Sequence, residues 1–377
     1  MNREEALQHF KETYVSKKCN EKLFALEEFY QKNVNDLIPG LVEAFRQICI
    51  KAKKMQQENK KGKIGYITFS MLRTSIAEGK HKCLVEAFDD SWFLDFQECS
   101  TEYDASWAFK FLDELGTELE EKRRMYAGSI TASDLERIKL LEAQKFNRYV
   151  MALVRYGMPR MEALKEYQEL SKEEEFIVRA GEYKDETEMV FKGDASIKDP
   201  LKTKEWLDEK LEEAEYTFEN FKSLDLSEGD YADIDLSYAD FRGSNLSKSR
   251  LAGCELVGTR FEGSCMDEAD LSGAYIFEAD FKGCSLKDAD FYEAEGSRGI
   301  KEEEWDDCGY LAVNFENADL GGADFEDADL KGAIFTGANL KGTKFTGANL
   351  ENAVFSWKDK DIIELLEEQL KVIQWKR

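Results

Sequence analysis

Histidine is almost absent from this 377-residue chain, which holds only His9 and His81. The eight cysteines form no CxxC pair, so neither a zinc site of recognisable spacing nor a histidine-centred triad can be read along the sequence. Walker loops, GxSxG elbows, HExxH pairs and dinucleotide fingerprints are missing as well, and no catalytic, cofactor-binding or metal-ligating residue is nominated. No apolar run approaches the length of a membrane span, and the start, Met1-Asn-Arg-Glu-Glu-Ala, lacks the charged-then-apolar layout of a signal peptide. A cytoplasmic protein with reduced, mostly buried thiols is therefore expected. Positive charge is also in short supply, with 52 Lys and Arg against 78 Asp and Glu and a formal charge of -26. That balance disfavours direct contact with nucleic acid or an anionic membrane, because both are polyanions. A basic protein surface, or a site that normally holds DNA, is the better class of partner.

What is present suffices for two or three folded domains, since 42% of the residues are apolar. The fold class expected is α+β and multidomain. Residues 1–180 read as a mostly helical domain. Leu23, Leu26, Phe29 and Tyr30, then Leu41, Val42, Phe45 and Ile48, recur at helical spacing, with Pro39 and Gly40 near a helix start. Near 64–98 the period changes to two: Ile67, Phe69, Met71; Cys83, Val85, Ala87; Trp92, Leu94, Phe96. This predicts a three-stranded antiparallel meander. On its third strand Asp95 and Glu98 could line a polar pocket beside Trp92, or simply sit on an exposed face. Trp107, Phe111 and Leu115 return to helical spacing. Ser133 with Glu136 resembles a capping box for a helix carrying Ile138, Leu141, Phe146, Val150 and Leu153. Periodicity fades over 181–199, which is read as a linker. Residues 200–220 form a leading helix and cap, with Asp199 as N-cap, Pro200 in the first turn and the helix running from Leu201 to about Tyr216.

From Phe221 to Phe355 the dominant signal is internal repetition. A large apolar residue returns every fifth position (Leu226, Tyr231, Leu236, Phe241 and onward), and two residues before most of them sits something small, such as Ala239, Ser244, Cys254, Ala269 or Cys284. Side chains two positions apart lie on one side of an extended strand. Each pentapeptide thus turns one small and one large residue inward, and the three-residue step to the next small one forces a bend. Repeated bends wind a coil. The frame slips between Phe291 and Phe315. Either one coil is irregular near Glu293 to Gly299, with Ile300, Trp305 and Tyr310 keeping the frame, or a lateral loop spans Tyr292 to Val313. At the end, Ile362, Ile363, Leu366, Leu370 and Ile373 form an apolar stripe on a helix within 357–377, which either caps the open last coil or dimerises.

The blocks Ala318-Asp-Leu-Gly-Gly, Ala323-Asp-Phe-Glu-Asp, Ala328-Asp-Leu-Lys-Gly and Ala338-Asn-Leu-Lys-Gly closely resemble the A(D/N)LXX signature of the pentapeptide-repeat family. For 221–356 the resemblance implies a right-handed quadrilateral β-helix of 20 residues per coil. Members that confer quinolone resistance are thought to imitate DNA and to occupy gyrase or topoisomerase IV, and the resemblance to them implies dimerisation through the C-terminal helix. Residues 1–200 match no recognised family. Residues 221–356 hold 29 acidic and 12 basic side chains, a net of -17 out of -26. The candidate acidic contact residues are Asp230, Asp235, Asp240, Asp270, Asp280, Asp290, Asp319, Asp324 and Asp329. Sorted by face, Arg250 interrupts the column of Asp230, Asp270 and Asp290, and Arg260 that of Asp240 and Asp280. A third column, Asp225, Asn245, Cys265 and Ser285, fades to neutral. Asp and Asn at this position also favour turns for local reasons. Three readings follow: a non-catalytic protein-binding scaffold with no cofactor, a DNA mimic directed at a type II topoisomerase, and an enzyme centred in the N-terminal domain.

Overall fold

Helical periodicity in the first sixty residues becomes a short helix, α1 (Arg3–Phe10), a π-helical turn over Lys11–Val15, and a 42-residue helix, α2 (Ser16–Gln57). The computed structural model describes residues 2–210, 215–300 and 308–377, the Phe93 side chain excepted. Pro39 lies inside α2 rather than near its start. An interior proline costs about 3 kcal/mol. Ile38 and Leu41 on either side are fully buried, each contributing about 1.5–3 kcal/mol, and so the helix runs through.

Strands β1 (Ile64–Met71) and β2 (Lys82–Phe88) flank a short helix, α3 (Arg73–Ala77). They pair antiparallel in the register that the alternation implies, Ile67 opposite Ala87, Phe69 opposite Val85 and Met71 opposite Cys83. The expected third strand is not formed at Trp92–Phe96. Trp92–Leu94 is a 3₁₀ turn, and β3 (Ser100–Asp104) pairs with β2 instead. In β3 only Tyr103 is buried, so a polar edge strand carried no alternation to read.

Helices α4 (Ser106–Arg123), α5 (Ala132–Glu162) and the single turn α6 (Lys165–Gln168) follow. The capping box of α5 is Thr131 with Asp134, two residues before the expected pair. Of its predicted stripe, Leu141 is exposed while Ile138, Phe146, Val150 and Leu153 are buried.

The expected linker 181–199 is mostly sheet. β4 (Lys172–Glu182) pairs parallel to β1, and β5 (Thr187–Asp194) completes the order β3-β2-β1-β4-β5. Phe176, Val178 and Ala180 of β4 are buried beside the α2–α5 layer, but the run Lys172–Glu175 before them masks the alternation. Between β5 and the next helix, residues 195–199 connect without regular structure.

The chain divides into two compact units, mainly Met1–Gly193 and mainly Asp194–Arg377. The second begins with α7 (Pro200–Asp208), capped by Asp199 as expected but ending before Tyr216; residues 211–214 of the expected helix lie outside the described ones.

The repeats then form four-sided coils. Parallel bridges join residues 20 apart, Asn220 to Asp240 to Arg260 to Asp280 and likewise on the other sides. Before the final coil, the large inward residues donate their N–H to a carbonyl of the next coil, as Phe221 does to Asp240 (2.9 Å) and Leu226 to Asn245 (2.8 Å), whereas small ones such as Ala239 donate to the large residue three positions earlier (Leu236, 3.1 Å). The bend falls two residues after each large one, where the backbone is left-handed (Ser223, Glu228, Asp233, Tyr238, Gly243). One side stacks seven phenylalanines, Phe221, Phe241, Phe261, Phe281, Phe315, Phe335 and Phe355, with neighbouring ring centroids 4.8–5.3 Å apart. A second stack, Phe291, Phe325 and Phe345, meets the first edge-on. Small polar residues close the core. The Ser244, Thr259 and Thr343 hydroxyls and the Cys254 and Cys284 thiols donate to carbonyls of the preceding coil, 23 residues earlier.

The frame slip is a lateral insertion, not an irregular coil at Glu293–Gly299. Glu293 has the left-handed φ of a regular repeat, and Gly296 occupies the next inward position. Bridges across this coil span 34 residues (Asp280 to Asn314, Glu295 to Asp329). Arg298 N–H still meets Lys331 O (2.9 Å) and Leu311 O still accepts the N–H of Glu278 (3.1 Å), so the extra residues leave after Arg298 and return at Leu311, with Gly299 and Tyr310 paired antiparallel. Trp305 lies outside the described residues. Here the core swaps sizes: glycine stands at a large position, and the buried Val313 at a small one. A Cβ on Gly296 would come 2.8 Å from Ile276 and 3.0 Å from Val313.

The C-terminal segment is not one helix. Trp357–Asp359 is a 3₁₀ turn, α8 covers only Glu367–Val372, and β7 (Gln374–Lys376) pairs parallel to β6 (Val354–Ser356). The physical reason is the open edge, whose backbone groups need partners. Gln374 N–H donates to Ala353 O (2.7 Å), and Gln369 Nε2 to Phe345 O (2.8 Å) and Ala348 O (2.9 Å).

Candidate interaction surface

The outward Asp or Asn before each large residue has a local task. Its side-chain oxygen accepts the N–H two residues on, as in Asp270 to Ser272 (3.0 Å), Asp280 to Lys282 (3.0 Å), Asp290 to Tyr292 (2.9 Å) and Asp324 to Glu326 (3.0 Å). Where Asn stands in the next coil it donates back to the Asp beneath it: Asn245 to Asp225, Asn339 to Asp319 and Asn349 to Asp329. These positions are built into the turn.

The nine candidate acids are not brought together. Asp230, Asp270, Asp290 and Asp324 share one side of the coil, Asp240 and Asp280 another, Asp235 and Asp329 a third, and Asp319 the fourth. Several are already paired. Arg250 lies between Asp230 (3.3 Å) and Asp270 (3.7 Å), Lys344 on Asp324 (2.6 Å), and Arg242 and Arg260 on Asp240. Burial would raise the Asp240 carboxyl, but Arg242 and Arg260 hold it below the usual range. On the same side, burial pushes Glu262 and Asp280 upward.

The middle of the Asp270–Asp290–Asp324 side differs. Asp290, Glu293, Glu326 and Asp327 surround Tyr292, an exposed aromatic, and no described cation lies within ion-pair distance of these four. The Glu293 carboxylate, with Asp327 and Glu326 beyond it, pushes the Tyr292 hydroxyl above the usual tyrosine range. Sequence sorting missed Glu293, Glu326 and Asp327 because it followed only the position before each large residue. Including the two positions after it would have found them.

Elsewhere the candidates are structural. The Asp95 side chain is buried against Lys61, and Glu98 is exposed, accepting from Ser100 Oγ (3.0 Å). The N-terminal unit has shallow grooves, one lined by Lys63, Tyr66, Asp90 and Glu173–Glu175, the other by Arg73, Arg137, Leu140 and Leu141. His81 Nε2 stands 3.0 Å from Asp113, which Lys139 also contacts. No cluster of metal-ligating side chains occurs among the described residues, and no helix is long and apolar enough to cross a membrane. Of the terminal stripe, Ile363 and Ile373 join the solenoid core, whereas Ile362, Leu366 and Leu370 are exposed.

Residues 234–273, 254–292 and 312–347 match the family model described as pentapeptide repeats (8 copies). The C-terminal region is a pentapeptide-repeat domain. The pentapeptide-repeat protein Rfr23 from the cyanobacterium Cyanothece 51142 is 31% identical over 31% of this chain and 63% of its own, with a TM-score of 0.12. QnrB1, a plasmid-mediated fluoroquinolone resistance protein, is 16% identical over 45% of this chain and 90% of its own, with a TM-score of 0.32. HetL, involved in heterocyst differentiation regulation in Nostoc sp. strain PCC 7120, is 18% identical over 42% and 98%, with a TM-score of 0.13. None of the curated proteins compared matches the sequence.

Proposed function

We propose that this protein is a non-catalytic scaffold whose pentapeptide-repeat domain binds a basic protein surface. One observation carries the reading. Along the side that holds Tyr292, Arg250 and Lys344 form ion pairs at the two ends, while Asp290, Glu293, Glu326 and Asp327 in the centre have no described cation within ion-pair distance, the charge of Lys344 reaching Asp290 and Glu326 only from beyond it. An exposed aromatic ringed by carboxylates suits lysine or arginine, which the ring attracts by its face and the carboxylates by charge. Most remaining outward acids are engaged in turns or ion pairs, and this favours a local contact over imitation of a whole duplex.

The test is affinity capture from the native host with the full chain and with its E293Q/E326Q/D327N variant. A basic partner should be retained by the former, lost from the latter, and released by added salt. An unchanged set of captured proteins refutes the assignment. Supercoiling by gyrase, measured with the purified protein in excess, separates the topoisomerase reading; inhibition abolished by the same variant would make gyrase the partner.

A further inference from the structure

Between β2 and β3 the usual distribution of polar and apolar side chains is inverted. The Asp95 side chain is 2% exposed and pairs with Lys61, whose side chain is 0% exposed. Asp95 also accepts the N–H groups of Asp89 (3.0 Å) and Gln97 (2.9 Å), while Lys61 Nζ donates to Gln97 O (2.6 Å). On either side of this buried carboxylate, Leu94 is 72% exposed and Phe96 89% exposed. Asp95 has extended backbone (φ -76°, ψ 104°), so its neighbours point away from it. Turning Asp95 inward therefore turns both apolar side chains out. Shifting the loop by one residue would bury Leu94 and Phe96 and hydrate Asp95, the arrangement that hydrophobic burial alone favours.

The loop is also held at its base. Trp92 adopts a left-handed φ of 53° and folds back on Tyr66, with centroids 3.9 Å apart, and on Phe88 at 6.0 Å. An exposed leucine alone needs no explanation; two large apolar side chains fixed outward around a buried ion pair do.

We propose that Leu94 and Phe96 are a preorganised anchor that inserts into an apolar pocket, rimmed by basic residues, on a partner protein. The rim follows from the flanks: Asp90 and Glu98 are exposed beside the anchor with no described cation in ion-pair distance, while Lys61 is consumed by Asp95 and Lys60 by Glu58 (2.7 Å). The same carboxylates oppose an anionic lipid surface, and the charge of -26 opposes a second copy of this chain. Rigid presentation lowers the entropy lost on docking, so two side chains can dominate such a contact. This inference does not rest on the acidic surface around Tyr292, which belongs to the other unit.

The experiment places the photoreactive residue p-benzoylphenylalanine at position 96 of the full chain in its host, with position 141, also exposed, as control. The expected result is a protein adduct formed from position 96 alone, mapping to an apolar pocket with lysine or arginine within its rim. That partner, once purified, should bind wild type at least tenfold more tightly than L94S/F96S, and several-fold less tightly in high salt. The double variant should unfold at the wild-type denaturant concentration, which keeps loss of binding distinct from loss of fold. Adducts only to another copy of this chain or to lipid, no adduct above the control, or a partner indifferent to L94S/F96S would each overturn the proposal. Loss of this adduct has no bearing on binding that depends on Glu293, Glu326 and Asp327, so the two readings fail separately.

Discussion

Replacing Phe315 by alanine tests the core of the repeat domain most directly. Phe315 is fully buried. It stacks on Phe281 (5.1 Å) and Phe335 (5.2 Å) and meets Phe291 (5.6 Å) and Phe325 (5.3 Å) edge-on. A buried Phe→Ala change costs about 3–5 kcal/mol through lost burial and the remaining cavity. Four aromatic contacts, each contributing about 0.5–1.5 kcal/mol beyond area, put Phe315 at the upper end, near 5 kcal/mol. Phe355 keeps one stacked neighbour, Phe335 (4.8 Å), with Phe345 edge-on (5.9 Å) and Trp375 tilted (6.2 Å); Phe355→Ala should cost about 3 kcal/mol. Because each coil is held mainly by its neighbours, the effect should be local. Hydrogen exchange read by mass spectrometry should show peptides around Phe281, Phe315 and Phe335 losing about a thousandfold in protection or more, at tenfold per 1.4 kcal/mol, with those around Phe221 nearly unchanged. A loss below about tenfold, or one spread evenly over the domain, would refute the stacking account.

Gly296→Ala should destabilise the inserted coil, because its Cβ would crowd Ile276 and Val313; Val313→Ala in the same chain should recover part of the loss, and a strictly additive double variant, read by urea unfolding, would contradict the exchange of sizes. Lys61→Met leaves Asp95 buried without its partner and should cost about 3–5 kcal/mol. Burial raises the Asp95 carboxyl, but hydrogen bonds from Lys61 and two backbone N–H groups leave it below its usual range, so its contribution is present at neutral pH and is lost as pH falls through the depressed value. Glu262 and Asp280 are raised by burial, so their protonation favours the fold: acidifying from neutral pH toward the ordinary carboxylate range should raise the melting temperature of the repeat domain, and E262Q/D280N should reduce that rise, leaving the part due to Glu255, which burial also raises. Gln369→Leu removes two hydrogen bonds to the last coil and should free the terminal cap at a cost of about 1–3 kcal/mol, seen as proteolysis near Trp357.

The sequence by itself determined the repeat domain. Its inward positions recur at a fixed period, and each coil is specified by residues next to it in sequence or 20 away, so small-x-large spacing from Phe221 to Phe355 translates directly into faces. The strands at Ile67–Met71 and Cys83–Ala87 were legible for the same reason, one buried face producing alternation. Tertiary structure decided what periodicity could not carry. Trp92, Leu94 and Phe96 alternate like a strand, yet the buried pair of Lys61 and Asp95, 34 residues apart in sequence, turns Leu94 and Phe96 to solvent. The real third strand shows one buried side chain, Tyr103, and β4 hides behind four charged and polar residues. The terminal stripe reads as a helix, but the unpaired edge of the last coil draws Gln374–Lys376 into a strand and leaves only Ile363 and Ile373 inside. Likewise the cluster around Tyr292 joins Asp290 and Glu293 to Glu326 and Asp327 across an insertion. The length of that insertion shifts the frame, and only the folded chain shows which coils become neighbours.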